Sequence, residues 1–193
     1  MIRLARESDI PAILDIYAPY VLDTAYSFEY TVPTVEEFTA RFRHHTHYCP
    51  WLVWEEEGKV TGYAYGAPAF ERAAYRWCGE VSIYLAPSAQ GRGIGKKMYQ
   101  VLEKLLAHQG YRVLYAIVTS ENAPSIAFHE ALGYRQRAVF PDCGYKFGRW
   151  VGTVWLEKRL DLGEDPTEMP DNWAAIVEND RFVSNILANL SLS

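Results

Sequence analysis

The stretch that decides the fold is Glu80-Val81-Ser82-Ile83-Tyr84-Leu85-Ala86-Pro87-Ser88-Ala89-Gln90-Gly91-Arg92-Gly93-Ile94-Gly95. Val81 to Leu85 is rich in β-branched and aromatic residues, which suit a pleated strand, and Pro87-Ser88 ends it. After the glycines, Ile94, Met98, Val101, Leu102, Leu105 and Leu106 recur at helical spacing. Gly110 stands where a helix stops. The order is strand, glycine turn, basic helix start, helix.

That order has a chemical use. The first amides of a helix lack partners inside it, and the helix dipole adds partial positive charge there. Small residues let a phosphate approach the bare backbone. Arg92, Lys96 and Lys97 add full charges. Residues 90–96 therefore read as a pyrophosphate cradle, the plainer alternative being a tight turn before a solvated basic helix start. The P-loop pattern fails, because Gln90 stands where it needs glycine and Lys97 where it needs Ser or Thr. The dinucleotide pattern starting at Gly91 fails at Lys96. The spacing that fits is Q-x-x-G-x-G.

With 193 residues, of which 49% are hydrophobic, the chain suits one domain with a sizeable core. It has no apolar run of the roughly 18 residues that a membrane span needs. The charged start, Met1 to Glu7, is unlike a signal peptide, so a cytoplasmic enzyme is expected. Cys49, Cys78 and Cys143 are odd in number and widely spaced, as free thiols are. From Asp161 onward there are seven acidic residues and one arginine, so that extension carries −6 against a net −5 for the whole chain, which leaves +1 on positions 1–160. The acidity thus says little about the ligand, and no basic stripe points to nucleic acid.

Along the chain, Ile2 to Ala5 reads as a strand, followed by a helix with Pro11 in its first turn and Pro19 kinking or ending it. Ala25 to Tyr30 is an irregular aromatic segment that either lines a substrate pocket or covers the core. Thr34 and Glu37 form a capping box. His44, His45 and His47 lack the pattern of a metal site and read as a solvated helix end, so no metal is expected. Residues 51–54 and 60–65 make a hairpin, and the loop 68–77 mixes cations with aromatics. A strand at 113–118 precedes a helix capped by Asn122 and ended by Gly133. Residues 134–140 and 153–156 close the sheet around a loop at 141–150. Pro166, Pro170 and the apolar residues near Trp173 suggest a short docking helix or a frayed end.

The Q-x-x-G-x-G turn, set in this element order, resembles the GNAT superfamily of N-acetyltransferases over residues 1–160. Glu80 to Leu85, Arg72 with Tyr75, Asn122 to Ile126, and Lys146-Phe147-Gly148-Arg149-Trp150 are together similar to its phosphinothricin and methionine sulfoximine branch. The resemblance implies an α/β (α+β) fold with a mixed, mostly antiparallel central sheet flanked by helices. It also implies a splayed parallel strand pair that binds acetyl-CoA, and a homodimer. Under it the carrier touches Ile83, Tyr84, Leu85, Gln90, Gly91, Arg92, Gly93, Ile94, Gly95, Lys96, Asn122 and Ser125. The acceptor would meet Phe28, Arg72 and Tyr75, with Lys146 and Arg149 as weaker candidates. Val81 stands where relatives often carry histidine. His129 stands where many GNAT enzymes place a tyrosine general acid, and otherwise reads as a partly buried helix histidine.

Acyl transfer needs a neutral amine and a donor for the charge that develops on the thioester oxygen. A backbone amide at 83–85 can supply the second. Glu80 is the expected general base, at its best with a pKa raised by partial burial. The alternative is a strand-end carboxylate paired with Arg72 or Arg76. The expected acceptor is the primary amine of a small amino-acid-like molecule. An antibiotic, a polyamine, a protein N-terminus or a non-catalytic acyl-CoA-binding module stands as the rival.

Overall fold

The computed structural model describes residues 1–160, 163, 168–178 and 180–190. Its strands are β1 (Ile2–Leu4), β2 (Trp51–Glu56), β3 (Lys59–Pro68), β4 (Cys78–Leu85), β5 (Val113–Thr119), β6 (Arg135–Lys146) and β7 (Arg149–Arg159). They form one sheet in the order β1-β2-β3-β4-β5-β7-β6. Every neighbouring pair is antiparallel except β4 with β5. The helices are α1 (Ile10–Leu22), α2 (Val35–Tyr48), α3 (Ile94–Gln109), α4 (Ala123–Ala131), α5 (Trp173–Ile176) and α6 (Arg181–Leu190).

Strand alternation divides the core in two. Val81, Leu114, Ala116 and Val118 pack with Met98, Leu102 and Leu105 of α3 on one face. Trp51, Val53 and Tyr63 pack with Ile13, Tyr17 and Phe38 of α1 and α2 on the other. The capping box at α2 is present, with Thr34 Oγ1 accepting from the Glu37 amide and Glu37 Oε2 from the Thr34 amide. Trp173 and Val183 join the α3-side cluster, and Gln109 Nε2 donates to the Asp171 and Tyr48 carbonyls. Asp161, Glu164, Asp165 and Pro166, assigned above to the acidic extension, lie outside the described residues.

Two local expectations change. α1 runs through Pro19 to Leu22, because the single hydrogen bond lost in its last turn is outweighed by packing of Tyr17 and Val21. The loop expected at 141–150 is mostly strand. β6 and β7 form a long hairpin closed by Phe147 (φ 51°) and Gly148 (φ 75°). Both are left-handed, as a two-residue hairpin turn requires. Pro141 to Cys143 fall in an irregularity between Phe140 and Gly144, which explains why they look like a turn.

Candidate active site

β4 and β5 are register partners only at Cys78–Val113, Gly79–Leu114 and Glu80–Tyr115. Past Glu80 each keeps its outer neighbour, β3 out to Leu85 and β7 out to Thr119, and loses the other. The sheet is therefore forked, with Glu80 at the apex. Residues along a strand direct their backbone groups alternately to the two sides. The Cys78 carbonyl accepts from the Ala69 amide and the Ala86 amide donates to the Thr61 carbonyl, both on the β3 side. Val81, Ile83 and Leu85 consequently turn their amides and carbonyls into the fork.

A narrow cavity of about 60 Å³ occupies the fork, lined from both sheet faces by Tyr26, Ser82, Tyr84, Tyr99, Thr119 and His129 among others. A wider one of about 390 Å³ adjoins it, lined by Ile83, Leu85, Gln90, Gly91, Gly95 and Phe128. Tyr20, Tyr26, Ile83, Asn122 and Ser125 line both. The wider cavity has the size of a small-molecule site, whereas the narrow one admits only the reacting end of a ligand.

The glycine turn sits at the mouth of the wider cavity. Gly91 (φ +69°) and Gly93 (φ +77°) are left-handed, and a Cβ built on either meets nothing within 4 Å. This is open space next to the unpartnered first amides of α3. Gly95 differs: a Cβ there would come within 3.2 Å of the Phe128 ring, so it serves helix packing as well as cavity lining. Arg92 is held by Glu56 at 2.7 and 2.9 Å, while Lys96 projects into solvent. Gln90 Nε2 donates to the Leu85 carbonyl (3.2 Å) and the Tyr20 hydroxyl (3.1 Å), tying the turn to β4. Tyr20 itself donates to the Leu85 carbonyl at 2.7 Å. Asn122 caps α4, its Oδ1 accepting from the Ser125 amide.

By strand alternation Glu80 shares the α1–α2 face with Ser82 and Tyr84, and with Tyr115 beside it in register. Burial pushes its carboxyl pKa up. No ion pair of Glu80 is found among the described residues: Arg76 instead donates to Asn172 Oδ1 and lies over the Tyr48 ring. His129 is buried, with Nδ1 2.7 Å from the Ser125 carbonyl and Nε2 2.9 Å from the Tyr99 hydroxyl. Nδ1 therefore carries the proton and Nε2 accepts, and burial lowers the pKa, which keeps the ring neutral.

None of the five acceptor candidates lines these cavities. Arg72 and Tyr75 are exposed on the loop after β3, where Tyr75 packs on Phe70 at 4.7 Å. Phe28 lies over Gly144, whose added Cβ would fall 2.5 Å from its ring. Lys146 is not in a solvated loop but buried, and Arg149 pairs with Glu121. Tyr20, Tyr26, Tyr99 and Thr119 line the fork without having been singled out in the sequence. Tyr26 belongs to the aromatic segment flagged above. Tyr99 lies beside Met98 in the α3 stripe and reads there as ordinary core.

Residues 2–155 match the Acetyltransferase (GNAT) domain family. The chain is 38% identical over 179 residues to a phosphinothricin N-acetyltransferase of Alcaligenes faecalis, covering 88% of this chain and 86% of the relative. It is 36% identical to an L-methionine sulfoximine/L-methionine sulfone acetyltransferase of Salmonella typhimurium, covering 83% of this chain and 94% of the relative. Among solved structures, a GNAT superfamily phosphinothricin acetyltransferase from Sinorhizobium meliloti in complex with acetyl-CoA is similar with a TM-score of 0.81 and 35% identity. That match covers 89% of this chain and 92% of the other.

Proposed function

The chain belongs to the GNAT acetyltransferase family, and on that premise we propose that it transfers the acetyl group of acetyl-CoA to the primary amine of a small amino-acid-like acceptor, with Glu80 as general base. The observation that carries this reading is the fork: one half-buried carboxylate at its apex, one open strand edge and one glycine-lined helix start at its mouth. The open space over Gly91 and Gly93 fits a diphosphate, and the unpaired edge of β4 fits an amide-bearing arm.

Acetyl-CoA supplies the activated acyl group. The rest belongs to this chain. Amides of α3 at residues 94–96 hold the phosphates, with Lys96 adding charge. Backbone groups of Ile83 and Leu85 line up the arm, and Asn122 and Ser125 wall its other side. Glu80 takes a proton from the incoming ammonium, directly or through a water, and leaves the nitrogen a lone pair; the N–C bond then forms as the C–S bond breaks, and the departing thiolate takes the second proton from the acylated nitrogen. A β4 amide facing the fork donates to the oxygen on which negative charge develops, with no rearrangement of the backbone. Arg72 and Tyr75, exposed outside both cavities on the loop after β3, would reach the acceptor's carboxylate or phosphinate only from the solvent side, the arginine fork matching two oxygens at once.

The protein acts as a homodimer in this reading. Phe140, Tyr145 and Trp150 on β6 and β7 are exposed apolar side chains of the kind that a partner covers. It works in the cytoplasm, where thiols such as those of Cys49, Cys78 and Cys143 stay reduced.

A thiol-release assay with acetyl-CoA tests the reading. Phosphinothricin, methionine sulfoximine or methionine sulfone should raise release well above the acceptor-free rate. Release with polyamines or peptide N-termini alone would overturn the acceptor class, and binding of acetyl-CoA without release to any amine would overturn the activity.

A further inference from the structure

Lys146 presents a physical puzzle. It is only 2% exposed, and a buried ammonium is costly unless its donors are satisfied. Among the described residues it forms no ion pair. Instead Nζ donates to two backbone carbonyls far away in sequence, Val21 at 2.7 Å and Ser27 at 2.6 Å. One atom thus ties the last turn of α1 to the first half of the connection that leaves it.

That connection carries Tyr26, which lines both cavities of the fork. The rest of it is tied down as well. Ser27 Oγ lies 2.7 Å from the Tyr17 hydroxyl, Thr24 Oγ1 donates to the Tyr20 carbonyl at 2.7 Å, and the Tyr26 amide donates to Thr24 Oγ1 at 3.1 Å. The end of β6 grips it twice more: Gly144 accommodates the Phe28 ring, and the Tyr30 hydroxyl donates to the Tyr145 carbonyl. Without the lysine, the Val21 and Ser27 carbonyls would lose their shared donor in a buried setting.

We propose that Lys146 is a positioning residue of the fork, holding residues 21–27 so that Tyr26 walls its α1 side where the acceptor must approach. It acts through Tyr26 and touches no reacting atom. This inference rests on the acetyl-transfer reading above. Its effect should be larger on the acceptor than on the carrier: Tyr26 lines the wider cavity too, but Lys146 contacts neither α3 nor the glycine turn.

The test compares Lys146→Met and Lys146→Gln with the wild type in the thiol-release assay, together with acetyl-CoA calorimetry and backbone hydrogen exchange. Lys146→Met should raise acceptor KM at least about tenfold, as loss of orientation does, with a smaller change in acetyl-CoA Kd. Lys146→Gln, which keeps two donors, should restore part of the loss. Amide exchange should accelerate at residues 22–28 and not in α3. In a Tyr26→Ala background, Lys146→Met should add little further to acceptor KM. Unchanged acceptor KM in a folded variant, or a strictly additive double mutant, overturns the proposal. If Lys146→Met does not fold, Lys146→Gln gives the same readout, and unaltered exchange at 22–28 there also overturns it. A wild type that acetylates no amine defeats the acetyl-transfer reading, whereas an active wild type with indifferent Lys146 variants defeats this inference alone.

Discussion

The two halves of the β4–β5 boundary are built from the same strands and behave oppositely. From Cys78 to Glu80 the strands are register partners, and Leu114 beside them is fully buried. From Val81 to Leu85 they part, and the space between is lined by tyrosines, Asn122 and Ser125. Backbone groups that face a vanished neighbour must find another partner, because a buried amide or carbonyl left alone is costly. At Leu85 the Tyr20 hydroxyl and the Gln90 side-chain amide fill that role. The closed half is thus scaffold and the open half a receptor. The only carboxylate on β4 stands at the boundary between them.

Removing that carboxylate should break the contrast most severely. Glu80→Gln should lower kcat/KM by about 100- to 10,000-fold at neutral pH, the range for a lost general base. Activity equal to wild type would remove Glu80 from that role. Burial raises its pKa, so wild-type kcat/KM should fall with acidification at a pH above the ordinary glutamate value of 4.5, and the variant should lack that limb. The same shift has a stability counterpart with a defined sign. Native Glu80 binds its proton more tightly than the unfolded chain does, so its ionisation costs stability as pH rises from the unfolded to the raised value. Denaturant titration at neutral pH should therefore place the midpoint of Glu80→Gln at or above that of wild type.

Leu114→Ala strikes the closed half, where the side chain is fully buried. It should cost about 2–5 kcal/mol of stability by urea unfolding, the range for a buried Leu-to-Ala cavity. Calorimetry should find acetyl-CoA affinity unchanged, and a parallel loss of affinity would show that the two halves are not separable. Gly93→Val strikes the open half. It places a β-branched residue at φ +77° and fills the space left for the diphosphate. The left-handed backbone alone should cost about 1–2 kcal/mol. Acetyl-CoA binding should be lost in calorimetry, and undiminished affinity would refute the cradle. Arg92→Ala should do least. Its pair with Glu56 is exposed, and solvent screening leaves such a pair little effect on stability. A larger fall in stability by urea unfolding would mean that the turn depends on that pair.

The halves also differ in how legibly the sequence encodes them. The strand, glycine turn and α3 are local patterns, since hydrophobic spacing changes from two to 3.6 across Pro87 to Ile94. Asn122, Gly110 and the Thr34–Glu37 box are equally local. The open half is assembled from afar. Tyr20 and Tyr26 reach it from the first helix and its exit, and Thr119 from the end of β5. No periodicity distinguishes them from core aromatics. Lys146 reads as a loop cation because Pro141 to Gly144 imitates a turn, whereas the hairpin closes at Phe147-Gly148. Burial of a charged residue is a tertiary fact, and the two carbonyls that satisfy it lie more than a hundred residues earlier.

The most direct test of the fork as the carrier site is residue-resolved amide exchange with and without acetyl-CoA. Amides at 83, 85 and 94–96 should be protected on addition, while those at 78–80 should not change. Equal exchange in both conditions across 83–96, in a protein that still binds the carrier, would place the carrier elsewhere and contradict the account.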